Sequence, residues 1–125
     1  MHENEISKIV LDCAIKVHTT LGVGLLESAY QECLIYELEQ ASLSVQKEID
    51  MPLIYKGLQL DKAYRIGILV ENKVIIELKA VTEMSPTYKH QVLTYLRLSG
   101  CKLGLLINFH ASRLIDGYER VVNRL

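Results

Sequence analysis

Hydrophobic positions recur at intervals of three and four through the first third of the chain, which predicts two amphipathic helices. The first helix runs from Glu5 to Leu21, with Asn4 as its predicted N-cap and Gly22 as its end. A short connection with two glycines leads into a second helix over residues 25–41. Its predicted inward side chains are Leu26, Ala29, Tyr30, Cys33, Leu34 and Leu38.

Beyond residue 42 the pattern changes to a period of two, which predicts three antiparallel strands. The strands cover Val45–Tyr55, Leu60–Val70 and Val74–Ala80, and Lys56-Gly57 forms the first turn. If Asn72 is the centre of a three-residue loop, the register of the second hairpin sets Gly67 opposite Glu77.

The last third of the chain predicts a helix, a buried strand and a terminal edge strand. Ser85 is the predicted N-cap of a helix that has Pro86 in its first turn and ends at Gly100. A continuous apolar strand over residues 102–109 follows, and then a short strand over 115–122. A crossover helix between strands three and four makes them parallel, so we expect an α/β (α+β) fold with a mixed sheet flanked by helices.

Composition places this pattern in one globular domain over residues 1–125. Half of the residues are hydrophobic and 23% are charged. No apolar run reaches the roughly 20 residues of a membrane span, and the first residues do not resemble a signal peptide, so we predict a cytoplasmic protein without membrane contact. The three cysteines are expected to be free thiols. The aliphatic content of so short a chain favours a homo-oligomer or a subunit of a larger assembly.

The candidate chemistry lies on the third strand, where Glu77 and Lys79 point to the same face. A carboxylate binds hard divalent cations, and a neighbouring lysine can hold an attacking water and offset charge on a phosphate. This combination suits phosphodiester hydrolysis. An ion pair on a half-exposed strand would give the same pattern, and Glu27 could equally serve only the dipole of the second helix. The net charge of −1 lacks the footprint of a dedicated nucleic-acid binder.

Several motifs in order give the chain a family resemblance. They are Gly24-x-x-Glu27-x-x-Tyr30, Tyr64-Arg65 before an apolar strand, Glu77-Leu78-Lys79-Ala80, Gln91-x-x-x-Tyr95 and Gly104 to Phe109. Together they resemble the GxxExxY protein family, a branch of the PD-(D/E)xK nuclease-like superfamily with a restriction-endonuclease-like αβββαβ core. The resemblance implies a metal-binding Glu77, a catalytic Lys79, a metal-site acid at Glu27, and Gln91 and Tyr95 lining the site. It also implies Mg²⁺ or Mn²⁺ as cofactor and DNA or RNA as partner.

One position departs from the family pattern: relatives carry a metal-binding aspartate where this chain has Gly67. Asp61 cannot replace it, because six residues along a strand span roughly 20 Å. Mg²⁺ relies on only one or two protein carboxylates, so losing one weakens its binding severely. We therefore predict a nuclease-like protein that is catalytically impaired or inactive. The alternative is a non-catalytic module on the same fold that binds nucleic acid or protein and keeps Glu77 and Lys79 as an ion pair.

Overall fold

The computed structural model describes all 125 residues and has an α+β fold built on a five-stranded mixed sheet. The helices are α1 (Glu3–Leu21), α2 (Glu27–Gln40) and α3 (Pro86–Ser99), and the strands are β1 (Val45–Tyr55), β2 (Leu58–Val70), β3 (Val74–Lys79), β4 (Leu103–Asn108) and β5 (Tyr118–Val122). The strands lie side by side in sequence order, and only β3 and β4 are parallel. The predicted fold class and parallel pair are therefore confirmed. No helix is both long and apolar enough to cross a membrane.

The two faces of the sheet are covered by different helices. Val74, Ile76 and Leu78 of β3 lie in the larger core together with side chains of α1 and α2. Ile75 lies in the smaller core on the other face, with Val92 and Leu96 of α3. Since strand side chains alternate, Glu77 and Lys79 follow Ile75 on the face of α3, at the end of β3.

The hairpin register is the one that the three-residue loop predicts. Residues Ile68, Leu69 and Val70 pair with Ile76, Ile75 and Val74, and both Glu71 and Asn72 adopt the positive φ angles of the tight turn. The pairing ends at Ile68 and Ile76, one step before Gly67 and Glu77. Residues of β2 before Ile68 pair only with β1, so a gap opens between β2 and β3 at this level.

The ribbon of β1 and β2 changes face at the same level. Its ladder has no pair at Glu48 and Gly67, and Glu48 has a φ of 50°, in the left-handed region. Ile68 packs in the core under α1 and α2, whereas Ile66, two residues earlier, packs under α3. In a regular strand these two side chains would share a face, so the alternation reverses at Gly67.

The beginning of α1 differs from the prediction. The helix starts at Glu3, and the N-cap is His2 rather than Asn4. The ring of His2 accepts the Asn4 backbone N–H at 2.9 Å, while the Glu5 carboxylate accepts the His2 backbone N–H at 3.3 Å. An imidazole nitrogen thus supplies the acceptor that a hydroxyl or carboxylate oxygen usually provides in a capping box.

One further prediction of local structure was wrong, and another was right except for where the strand begins. Leu26 is 78% exposed, because it is the N-cap of α2 in extended conformation and so lies outside the helical stripe. The segment before β5 is a 3₁₀ turn over Leu114–Gly117, so the last strand begins only at Tyr118.

Candidate functional site

A cavity of about 170 Å³ lies where β2 and β3 separate. We call it the acidic cavity, because three of its lining side chains are glutamates. Its lining residues come from α2, from the β1–β2 ribbon, from β3 and from α3: Glu27, Gln31, Glu48, Arg65, Gly67, Glu77, Leu78 and Tyr95. The gap in strand pairing is what lets side chains from both sides of the sheet reach one space.

Glu77 lines the cavity and forms a largely buried ion pair with Lys79, which is not itself among the lining residues. Their charged atoms are 3.5 Å apart, and the side chains are only 16% and 17% exposed, respectively. The Lys79 ammonium also lies 4.4 Å from the centre of the Tyr88 ring, within cation–π range. Burial raises the pKa of Glu77 and Lys79 opposes this rise, while the charges of Glu27 and Glu48 add to it. Lys79 is therefore the main counter-charge of this carboxylate.

Gln91 and Tyr95 take different positions relative to the cavity. Tyr95 lines it, whereas Gln91 is exposed and reaches the site only by donating a hydrogen bond from Nε2 to the Tyr95 hydroxyl at 3.0 Å. The Tyr95 ring packs against Tyr64 with centroids 4.9 Å apart. Burial, and then the charge of Glu77, raise the pKa of Tyr95. Tyr95 therefore enters the site as a neutral hydroxyl.

Glu27 is placed by the glycine- and tyrosine-containing connection that precedes α2. Tyr30 is fully buried, and its hydroxyl donates to the Gly22 carbonyl at 2.6 Å and accepts the Leu25 backbone N–H at 3.2 Å. Its ring stacks on Phe109 with centroids 4.8 Å apart. Tyr30 thus fixes the connection between α1 and α2, and with it the first turn of α2, where Glu27 lies.

Sequence reasoning missed three residues of the acidic cavity: Gln31, Glu48 and Arg65. The Glu48 carboxylate accepts from Gln31 Nε2 at 2.9 Å and pairs with Arg65 Nη1 at 3.5 Å. Arg65 also pairs through Nε with Asp50 at 3.0 Å. A signal was present, because three polar residues over 46–48 interrupt the alternation of β1 where the strand changes face. Non-glycine residues at positive φ are frequent at functional sites.

Gly67 leaves open space in the cavity where the family pattern expects a carboxylate. A Cβ atom added there would lie 3.8 Å from the Ile76 carbonyl oxygen and 3.9 Å from Gln31 Oε1, both ordinary van der Waals contacts. The φ of Gly67 is not in the left-handed region, so a side chain at this position needs no unusual backbone. The position can therefore accept an aspartate.

The donors present do not form a metal centre. No three histidine, cysteine, aspartate or glutamate side chains lie close enough together to hold one ion. Glu77 is paired with Lys79, and Glu48 with Gln31 and Arg65. A divalent cation needs oxygen ligands that are free to turn toward it, and these two carboxylates are committed to other partners.

Comparison with known proteins places the chain in a family. The crystal structure of SSO0001 matches with a TM-score of 0.53 at 16% sequence identity, over 96% of this chain and 79% of that one. This similarity concerns the fold alone. No curated protein sequence matches the chain significantly. The family model of the PD-(D/E)XK nuclease superfamily matches residues 4–121. The chain therefore belongs to the PD-(D/E)XK nuclease superfamily.

Proposed function

We propose that this chain is a nuclease-like protein of the GxxExxY branch whose phosphodiester hydrolysis is impaired by Gly67. One observation carries the proposal: an open position at Gly67 borders the same cavity as Glu27, Glu77 and Tyr95, in a chain of the nuclease superfamily. Members of this superfamily typically use divalent metal ions. Mg²⁺ or Mn²⁺ is the cofactor that we propose for an active form, with DNA or RNA as substrate.

The proposed roles follow from the contacts of each side chain. Lys79 is the cation that would face a phosphate and offset its charge, since its ammonium is held between the cavity residue Glu77 and the Tyr88 ring. Glu77 and Glu27 are the proposed metal-binding carboxylates, and Glu77 must leave Lys79 to serve that purpose. Tyr95, oriented by Gln91, would donate a hydrogen bond to a bound phosphate oxygen.

A non-catalytic module that binds nucleic acid or protein is the second candidate. The observation in its favour is the state of the carboxylates, because Glu77 and Glu48 already have partners without any metal. In this candidate Glu77 and Lys79 stabilise the site as an ion pair and take no part in catalysis.

The substitution Gly67→Asp distinguishes a damaged nuclease from a binding module. Mn²⁺ binding by calorimetry and metal-dependent cleavage of single- and double-stranded DNA and RNA are measured for the unaltered chain, Gly67→Asp and Gly67→Asn. Asparagine has the size of aspartate without its charge, so it controls for side-chain bulk. We expect Gly67→Asp to bind Mn²⁺ on the order of tenfold more tightly than either other form, because one charged ligand is added, and to gain cleavage.

Two results would contradict the proposal in different ways. If Gly67→Asp binds Mn²⁺ no more tightly than Gly67→Asn and cuts nothing, Gly67 is not the missing ligand position. If the unaltered chain cleaves nucleic acid readily and Lys79→Ala abolishes this activity, the chain is an active nuclease and the predicted impairment is wrong.

Three broader expectations remain proposals. They are that residues 1–125 act as one domain, that the chain forms a homo-oligomer, and that it functions in the cytoplasm. Exposed apolar side chains at the tip of the β1–β2 ribbon, Ile54, Tyr55 and Leu58, support self-association.

A further inference from the structure

A second cavity, of about 580 Å³, lies at the opposite end of the sheet from Lys79. We call it the basic cavity. Its lining residues are Arg97, Gly100, Lys102, Asn123 and Arg124, with three cations and no acidic side chain. It sits beside the start of β4, whereas Glu77 and Lys79 lie at the end of the parallel neighbour β3.

The three cations of the basic cavity have no acidic partner. None of the eight ion pairs of the chain involves Arg97, Lys102 or Arg124. The chain as a whole has a net charge of −1, so its acidic residues lie elsewhere. Three unpaired cations around one concave surface create a positive potential that attracts an anion.

The stabilisation of a helix terminus does not explain this cluster. Arg97 lies in the last turn of α3, where a cation is favourable for the helix dipole. Lys102 and Arg124 belong to other segments, one before β4 and one after β5. Arg124 has a φ of 59°, so the chain turns there in the left-handed conformation. The cations thus reach one cavity from three separate segments.

Asn123 holds these segments together. Its backbone N–H donates to the Lys102 carbonyl at 2.8 Å, and its side-chain amide donates to Cys101 at 3.3 Å and to Leu96 at 3.5 Å. Gly100, at a φ of 82°, ends α3 and allows the sharp change of direction into β4. The backbone that carries the cations is therefore fixed before any ligand binds, which lowers the entropy cost of binding.

We infer that the basic cavity binds the phosphodiester backbone of a nucleic acid and holds it alongside the acidic cavity. Arginine guanidinium groups match phosphate oxygens in pairs, and lysine adds a point charge. Lys102 precedes the level of Glu77 by four residues of β4, or roughly 13 Å at about 3.3 Å per residue. The inference rests on the proposed nucleic-acid partner but does not require cleavage.

Fluorescence anisotropy in EDTA tests the site without metal or cleavage. The probes are a labelled 12-nucleotide DNA, the matching RNA and a 20-base-pair duplex, between 50 and 200 mM salt. The triple variant R97Q/K102Q/R124Q is compared with K8Q/K56Q/K62Q, which removes the same charge from exposed lysines outside the cavity. Circular dichroism confirms that both variants fold.

We expect R97Q/K102Q/R124Q to bind all three probes about a hundredfold more weakly at ~0.1 M salt and to lower the slope of log K against log salt by about 2–3. The control triple should change affinity less than threefold. Equal losses in both triples, or full binding by R97Q/K102Q/R124Q, would overturn the site. Pyrophosphate that binds as tightly as the 12-nucleotide strand would also overturn it, because the ligand would then be a small phosphate. None of these results bears on the Mn²⁺ response of Gly67→Asp, so the two proposals fail separately.

Discussion

The acidic and basic cavities differ in what their charged groups contact. At the acidic cavity Glu77 pairs with Lys79, and Glu48 with Arg65, so that among its charged lining residues only Glu27 has no ion-pair partner. At the basic cavity all three cations lack one. Two of the three carboxylates of the acidic cavity are thus paired with cations of the protein, whereas no cation of the basic cavity is paired.

If both proposals hold, this difference separates two tasks of a nuclease site, which are to hold the substrate and to cut it. A cluster of unpaired, exposed cations costs little in stability because water and salt screen the charges. A largely buried carboxylate costs much more folding free energy, and this cost is offset by its paired cation. On the proposed function, glycine in place of aspartate at position 67 removes a metal ligand and leaves the cations proposed to hold nucleic acid unchanged.

The largest expected effect on stability comes from removing a paired cation. Lys79→Met keeps the aliphatic stem against Tyr88 but leaves Glu77 without its counter-charge, and we expect a loss of about 2–3 kcal/mol in the free energy of unfolding. Lys102→Met removes an unpaired, exposed cation and should change it by less than about 0.5 kcal/mol. Urea denaturation at pH 7 measures both.

Similar losses in the free energy of unfolding for Lys79→Met and Lys102→Met would contradict the difference between a paired and an unpaired cation. A small effect of Lys79→Met would mean that water, and not Lys79, compensates Glu77 in solution. A large effect of Lys102→Met would mean that this lysine stabilises the fold through its own contacts and is not free to bind an anion.

Most of the fold followed from short-range patterns, whereas the shape of the site did not. Asn72 indicated the hairpin register because asparagine adopts positive φ more readily than most residues, and Ser85-Pro86 indicated the start of α3. The family motifs named Glu27, Glu77 and Tyr95, and all three line one cavity. The role of Glu48 depends on a reversal of the strand faces, which no local preference of this residue predicts.

The basic cavity could not be predicted from the sequence either, for a different reason. Arg97, Lys102 and Arg124 are widely spaced, and each is unremarkable among the 14 lysines and arginines of the chain. They come together only because β5 pairs with β4 and brings its end beside the end of α3. A net charge near zero gave no hint of such a local cluster.

A smaller effect is expected when Glu77 is made neutral, and its sign depends on pH. Because the folded state raises the pKa of Glu77, folding favours the protonated form, and this advantage is fully present below the ordinary pKa of 4.5. The advantage is lost as the pH rises through the raised pKa that Glu77 has in the folded state. The stability of the unaltered chain relative to Glu77→Gln should therefore fall as pH increases from 4 to 7. Urea titrations at several pH values test this, and a relative stability that rises over that range would show that Lys79 outweighs burial.

The smallest effect concerns Tyr64, whose ring packs against Tyr95 of the acidic cavity. Its hydroxyl is the one buried side-chain polar atom without a hydrogen-bond partner. Tyr64→Phe removes that unsatisfied group and keeps the ring, so we expect a gain of about 1 kcal/mol in the free energy of unfolding. Tyr95→Phe is the matched control, because its hydroxyl accepts from Gln91 and its loss should destabilise by about 1 kcal/mol. If Tyr64→Phe is instead destabilising, the Tyr64 hydroxyl has a hydrogen-bond partner in solution.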